Sequence, residues 1–445
     1  MDVKEISSWL KEREYYKVKE CLADLNEVDL AFLLEEEEFT EKERLVLFRL
    51  IRKEDAAEVF SNMEPWLQED LIRGFTMTEL RELIDDMYLD DTVDLLEEMP
   101  ANAVDKILQV ADAETRAGIN MLLKYPQDSA GSMMTIEYID LRKDMTVFEA
   151  LKKIKRIGIN QETIYTCYVI ERHKLIGIVT AKDLLIEDDN KLIEDIMETN
   201  VITVNTYDDK EDVAKQFHKY GFIAMPVVDT EHCLVGIVTF DDAMDVWQEE
   251  VEEDMSVMAA MAPTEDEYFD TSVFQHAKNR IFWLMFLMLS ATLSGLVLTH
   301  YEEAFAAVPI LVSFVPMLTG TAGNCGSQSS TLVIRGLSTD EITFKDWYRL
   351  IFKEARVALL VGGALAVVNG IRIMLMYQDF NLAMLLGLTL MIVVMLAKLT
   401  GCLLPMAAKK LHLDPAIMAA PLISTILDTL SILIYFTIAT HIMSI

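Results

Sequence analysis

Apolar positions recur in three rhythms along the 445 residues of this chain. Over residues 1–125 they return every three or four positions in short segments, the spacing of one buried helical face. The segments AEVFSNMEPWLQEDLI, RELIDDMYLDDTVDLL and VDLLEEMPANAVDKIL place Met63, Met87 and Met99 equivalently, 24 and 12 residues apart. That repeat predicts an α-helical superhelical N-terminal domain with the methionines in its core. Residues 126–250 alternate helical pieces with short β runs, and do so twice. TVFEALKKIKRIG, YTCYVI and LIGIVTAKD in the first half match DVAKQFHKYG, AMPVVD and LVGIVTFDD in the second. The GIVT strands begin at Gly177 and Gly236, 59 residues apart, so a β-β-α unit is duplicated. Residues 246–275 read as a long acidic helix followed by a polar linker.

From residue 278 the rhythm gives way to long apolar runs, and 278–445 reads as a five-helix transmembrane domain. The candidate spans are 281–298, 304–334, 357–371 continuing past Arg372 to 376, 382–404 and 415–441. About 20 apolar residues suffice to cross a bilayer core. The second span is interrupted by Pro309, Pro316 and a glycine-rich run. Basic residues fall in alternate connections. Lys278 and Arg280 precede the first span, while Arg335, Lys345, Arg349, Lys353 and Arg356 separate the second from the third. Lys409 and Lys410 follow the fourth, and the remaining two connections carry neither Lys nor Arg. The positive-inside rule then predicts a multi-pass protein of the inner or plasma membrane, with a cytosolic N-terminus and an external C-terminus.

Charge divides the chain at the same place. Residues 278–445 hold 11 Lys/Arg and 9 Asp/Glu, leaving 28 and 64 in residues 1–277, a net of −36 there against +2 beyond. Such a surface repels nucleic acid and concentrates cations. The five cysteines are dispersed without a CxxC pair, which argues for reduced thiols. The first 20 residues lack the apolar core of a cleavable leader.

Within the last span one residue stands apart. Asp428 is a lone carboxylate in PAIMAAPLISTILDTLSILIYFTIATH, and an ionised group at bilayer depth costs about 2.5–3.5 kcal/mol even on lenient scales. Ser424, Thr425, Asp428, Ser431 and Tyr435 share one helical face, a polar stripe that suggests a cation path. In VPMLTGTAGNCGSQSSTLVIRG, Gly320, Gly323 and Gly326 after Pro316 are expected to weaken the helix and free backbone carbonyls. Asn324 and Gln328, four apart, present two amides on one side. Oxygen donors without nitrogen or thiolate suit a hard cation. Two other readings stand beside this one: glycines serving close helix packing, and Asp428 paired with Lys398 in a buried salt bridge.

The run Pro316–Gln328, the segment DPAIMAAPLISTILD, the duplicated G-I-V-T-x-x-D units and the acidic helical N-domain resemble, in the same order along the chain, the MgtE family of magnesium channels. The duplicated units resemble a tandem cystathionine-β-synthase (CBS) pair. The resemblance implies a homodimer with the pore between protomers, a long cytosolic helix that plugs it, and cytosolic Mg²⁺ sites that close it. Carried over residue by residue, it assigns the pore to Asp428, Asn324, Gln328, Gly323 and Thr425. It assigns regulatory Mg²⁺ to Asp90, Asp94, Asp242, Asp245, Glu250, Glu253 and Asp254, with Glu58, Asp209 and Glu211 as weaker matches. In CBS pairs the Asp of T-x-x-D, here Asp183 and Asp242, holds a nucleotide ribose, so ATP is an implied ligand; each of these Asp residues can equally cap its helix.

The expected function is therefore Mg²⁺ uptake through a channel closed by cytosolic Mg²⁺, not catalysis. The alternative is a carrier exchanging Mg²⁺ for Na⁺ or H⁺. An intramembrane metalloprotease would need H-E-x-x-H, and no two of the seven histidines lie four apart. A CBS sensor merely tethered to the membrane would leave the G-N-x-G-x-Q run and Asp428 without a role.

Overall fold

The computed structural model describes residues 3–264, 268–269, 271–302, 306, 308–339 and 341–443. They fall into two compact units, Met1–Trp247 and Gln248–Ile445.

The first unit opens with ten short helices: α1 (Val3–Lys11), α2 (Tyr15–Leu22), α3 (Glu27–Glu35), α4 (Glu41–Leu50), α5 (Ala56–Ser61), α6 (Pro65–Gly74), α7 (Met77–Asp86), α8 (Leu89–Glu98), α9 (Ala101–Val110) and α10 (Ala113–Leu122). Local chemistry sets their starts. Capping boxes form at Thr40/Glu43 and Thr76/Glu79, where hydroxyl and carboxylate each satisfy an orphan amide. Met63, Met87 and Met99 are buried where one helix hands over to the next, a joint that a flexible thioether fills well.

The duplicated units follow as two three-stranded sheets of the same topology. β1 (Asp140–Leu141) runs parallel to β2 (Thr166–Glu171), which is antiparallel to β3 (Lys174–Thr180). β4 (Val204–Asn205), β5 (Ala224–Val228) and β6 (Leu234–Thr239) repeat the pattern. Helices α11 (Val147–Ile157), α12 (Ala181–Ile186) and α13 (Lys210–Tyr220) flank them. The halves are joined by Leu175 N–H donating to His232 O at 3.3 Å and Leu234 N–H to His173 O at 3.0 Å. One apolar core runs from Ile6 through the helical stack to Met225, Val238 and Ala243 of the second CBS half. Helix α14 (Phe240–Met258) starts directly after β6. It begins six residues before the expected start at 246, where the Asp242 carboxylate accepts from the Thr239 amide at 3.4 Å and from its hydroxyl.

The second unit holds five long helices among its described residues: α15 (Val273–His300), α16 (Val315–Ser338), α17 (Trp347–Tyr377), α18 (Phe380–Lys410) and α19 (Ala420–Met443). Four of them, with their flanking turns, are long and apolar enough to cross a membrane; α16 is not. Its sequence is rich in Thr, Gly, Ser, Asn and Gln, yet it buries Leu318, Ala322, Gly323, Cys325, Gly326, Ser329, Ser330, Val333 and Ile334 against the other helices. By contrast α15 buries no residue.

The break expected in the second span is found at Pro309 but not at the glycine run. Residues 309–314 form a 3₁₀ turn, and α16 then runs without interruption through Gly320, Gly323 and Gly326. A broken backbone at membrane depth would leave amides without partners; Gly323 and Gly326 instead allow close approach, while Gly320 faces open space. A methyl at Gly326 would meet Leu427 at 2.3 Å and Ile423 at 2.8 Å, and one at Gly401 would meet the Gly326 carbonyl oxygen at 2.3 Å. At Gly323 the neighbour is Ser424 Oγ at 3.0 Å. Close packing through small residues is thus the correct reading of this run.

Gly401→Ala should lower the detergent melting stability of the full chain by about 1–3 kcal/mol or prevent folding, because backbone cannot move aside. Gly370→Ala, with nothing within 4 Å of the added carbon, should be neutral or stabilising by about 1 kcal/mol.

Candidate ion path and acidic cluster

One face of α16 is unpartnered. Pro316, Gly320, Asn324, Gln328, Thr331 and Arg335 are all exposed and recur at three- and four-residue steps; Leu332 is exposed beside them, and the opposite side of the helix is enclosed. Neither the Asn324 nor the Gln328 amide has a hydrogen-bond partner among the described residues. Asp428 lies on α19, one turn beyond Ser424, whose hydroxyl faces Gly323. It is half-buried, and its carboxylate has no hydrogen-bond or ion-pair partner among the described residues. The Thr425 hydroxyl donates to Pro421 O at 2.9 Å within the helix, leaving its lone pairs available.

The predicted polar stripe of α19 divides. Ser431 and Tyr435 are buried, the latter donating to Leu311 O at 3.0 Å. Tyr435 thereby ties α19 to the 309–314 turn, while Ser431 donates to Asp428 O at 3.0 Å within its own helix. The salt bridge between Asp428 and Lys398 is also absent. Lys398 is turned to Glu354, at 3.8 Å, and to Ser329, at 3.3 Å. The base of this region meets the end of α14, where Val257 and Met258 pack on Ile334, Ala416 and Ala419.

In the first unit the chain gathers carboxylates from distant segments. Asp90, Asp91 and Asp94 come from α8, Glu137 and Glu162 from the first CBS half, and Asp241 and Asp242 from the start of α14. Glu137 is held by Thr135 Oγ1 at 2.8 Å and by the Leu89 amide at 3.3 Å, and Asp91 by Ser61 Oγ at 2.9 Å. Burial and then Asp242, Asp91, Glu162 and Glu137 push the Asp90 carboxyl well above its usual range. Asp94 keeps solvent contact, yet thinned solvation and then Asp242 and Asp91 raise it to about 7. Burial raises Asp242 to about 7 against the pull of its Thr239 hydrogen bond, with Asp241 adding to the rise. Glu162 is raised to about 8 by burial and by Asp242, Asp241 and Asp91. The buried Oε2 of Glu162 has no hydrogen-bond partner among the described residues. Like charges in this number favour protonation or a cation. Among the described residues no three side chains already stand as a ready ion cage.

Of the carried-over acids, Asp90, Asp94 and Asp242 meet here, and Glu58 lies at the edge, close enough to raise Asp91. Asp245, Glu250, Glu253 and Asp254 lie further along α14. Asp209 and Glu211 are elsewhere: Asp209 caps α13 by accepting from the Glu211 amide at 2.9 Å, and Glu211 pairs with Lys215 at 2.6 Å. Asp183 likewise closes the capping box of α12 with Thr180. Sequence reasoning missed Glu137, Glu162, Asp91 and Asp241. Only the adjacency of Asp91 to Asp90 and of Asp241 to Asp242 offered a signal.

Comparison with known proteins agrees with this division. The MgtE divalent cation transporter profile matches residues 315–438, the MgtE intracellular N domain residues 25–128, and CBS domains residues 130–189 and 193–249. The chain is 35% identical to the magnesium transporter MgtE of Thermus thermophilus, over 97% of this chain and 96% of that one. It is 33% identical to the magnesium transporter MgtE of Bacillus subtilis, over 97% and 95%. A crystal structure of the cytosolic domain of the Mg²⁺ channel MgtE in complex with ATP superposes with a TM-score of 0.52 at 34% identity. It covers 55% of this chain and 99% of the other. A multi-pass membrane protein and not an enzyme, the chain belongs to the MgtE family of divalent cation transporters.

Proposed function

We propose that the protein is a homodimeric Mg²⁺ channel whose path follows the polar face of α16 past Asp428 and which cytosolic Mg²⁺ closes. The observation that carries this is the exposed polar row Gly320–Asn324–Gln328–Thr331 on a helix whose opposite side is buried in the bundle. Such a row is unstable against lipid and calls for water or a second copy. A twofold axis supplies both and sets two Asp428 carboxylates across one path. Mg²⁺ dehydrates reluctantly, so carboxylates and amides at this spacing suit an ion carrying part of its water shell. The distribution of Lys and Arg among the connections supports a cytosolic N-terminal unit.

Closure is the work of the crowded acids. Without Mg²⁺ the carboxylates of α8, the first CBS half and α14 repel one another and favour a looser arrangement. With Mg²⁺ they are bridged. Several weak sites acting together give a steep response, since each biases the equilibrium by its differential affinity. An ATP on the CBS pair would use Asp183, which lies outside this cluster; the fields of Asp241 and Asp91 at Asp242 disfavour a triphosphate there.

Asp428→Asn should cut Mg²⁺ uptake into proteoliposomes by at least about tenfold with unchanged folded yield; wild-type uptake would refute the path. For closure the sign follows from the raised carboxyls. Asp94 and Asp242 near 7 and Glu162 near 8 hold protons in the folded state that the unfolded chain releases above about pH 4. Stability without Mg²⁺ should therefore fall as pH rises from about 4 to 8. Mg²⁺ should raise the melting temperature strongly at pH 8 and little at pH 5.5. Asp94→Asn with Asp242→Asn should raise the metal-free melting temperature at pH 8, shrink the Mg²⁺ shift and weaken inhibition by cytosolic Mg²⁺. An unchanged Mg²⁺ response in that double variant would rule out the cluster as the sensor.

A further inference from the structure

On the enclosed side of α16, three helices contribute one polar side chain each to an otherwise apolar contact. Ser329 of α16, Glu354 of α17 and Lys398 of α18 are 1%, 8% and 5% exposed. Ser329 Oγ donates to Glu354 Oε2 at 2.7 Å and accepts from Lys398 Nζ at 3.3 Å, while the two charges stand 3.8 Å apart. The serine hydroxyl is thus nearer to each charge than the charges are to one another. One turn away the Gly326–Gly401 crossing brings α16 and α18 into backbone contact.

A buried ion pair is a poor source of stability, because apolar residues of similar volume usually do as well or better. What it supplies is geometry, since each charge is costly unless the other and the hydroxyl stay in place. Ser329 directly follows Gln328, about 100° further round the helix. Turning α16 by one residue would withdraw the hydroxyl and carry Asn324 and Gln328 off the exposed face. We propose that Ser329, Glu354 and Lys398 are a positioning triad that fixes the rotation of α16 and so selects the face that lines the ion path. This rests on the ion path proposed above. Ser329 touches no transported ion; it acts through Gln328 and Asn324.

The test reads helix rotation apart from transport. In the full chain in proteoliposomes, with the five native cysteines replaced, a water-soluble thiol reagent is applied to Gln328→Cys or Ser327→Cys. Fast modification at 328 and slow modification at 327 are expected. Ser329→Ala, and the double variant Glu354→Met with Lys398→Met, should slow modification at 328 by about tenfold and speed it at 327. The same variants with Gln328 intact should raise the half-saturating Mg²⁺ for uptake several-fold at unchanged folded yield. The charge swap Glu354→Lys with Lys398→Glu should restore most of both readouts, and carries the test if the double-Met chain does not fold. Wild-type modification and wild-type half-saturation in these variants would reduce the triad to packing and overturn the proposal. Slow modification at 328 in the unaltered background would remove the ion path itself, and the triad's role with it.

Discussion

A polar helix face cannot rest against hydrocarbon, and α16 has one. Every other feature of the second unit can be derived from that constraint. The helix is shielded on one side by α17, α18 and α19, with glycines at 323, 326 and 401 allowing backbone to approach backbone or side chain. On its other side the amides of Asn324 and Gln328 have no partner among the described residues, and α19, packed on the same helix through Ser424 and Leu427, carries the carboxylate Asp428. Water and a permeating cation are the partners that such donors require.

The two units use carboxylates in opposite ways. Near the path a single acid is kept away from the nearest buried cation, because Lys398 is committed to Glu354 and Ser329. In the first unit many acids are crowded until several carboxyls rise toward neutrality. The first arrangement keeps charge available to an ion in transit. The second crowds like charges, a repulsion that a bound divalent ion would relieve, which is the form of coupling the proposed sensor needs. The end of α14 is seated on Ile334 of α16 and on Ala416 and Ala419 in the turn that leads into α19, the two helices to which we assign the path.

Much of this was legible in the chain itself, wherever the determining interaction is local or periodic. The T-x-x-E and T-x-x-D caps, the duplicated GIVT strands and the methionine spacing in the helical stack are all short-range signals. Asp428 was legible because a lone acid in an apolar run has few structural explanations. What failed was long-range. Glycine's weakness in isolated helices suggested a break at 320–326, yet its value here lies in contact with residues about 75 and 100 positions later. Nothing local to Lys398 distinguishes Asp428 from Glu354 as its partner. Glu137 and Glu162 join the acid cluster through the fold of the first CBS half, and no motif marks them.

Unitary Mg²⁺ current through the reconstituted full-length chain addresses the central claim most directly. The account predicts discrete current steps for the unaltered protein and their loss in Asp428→Asn. Steps of undiminished size in that variant, or Mg²⁺ flux by the unaltered protein without resolvable steps and tied to Na⁺ or H⁺ moving the other way, would contradict it.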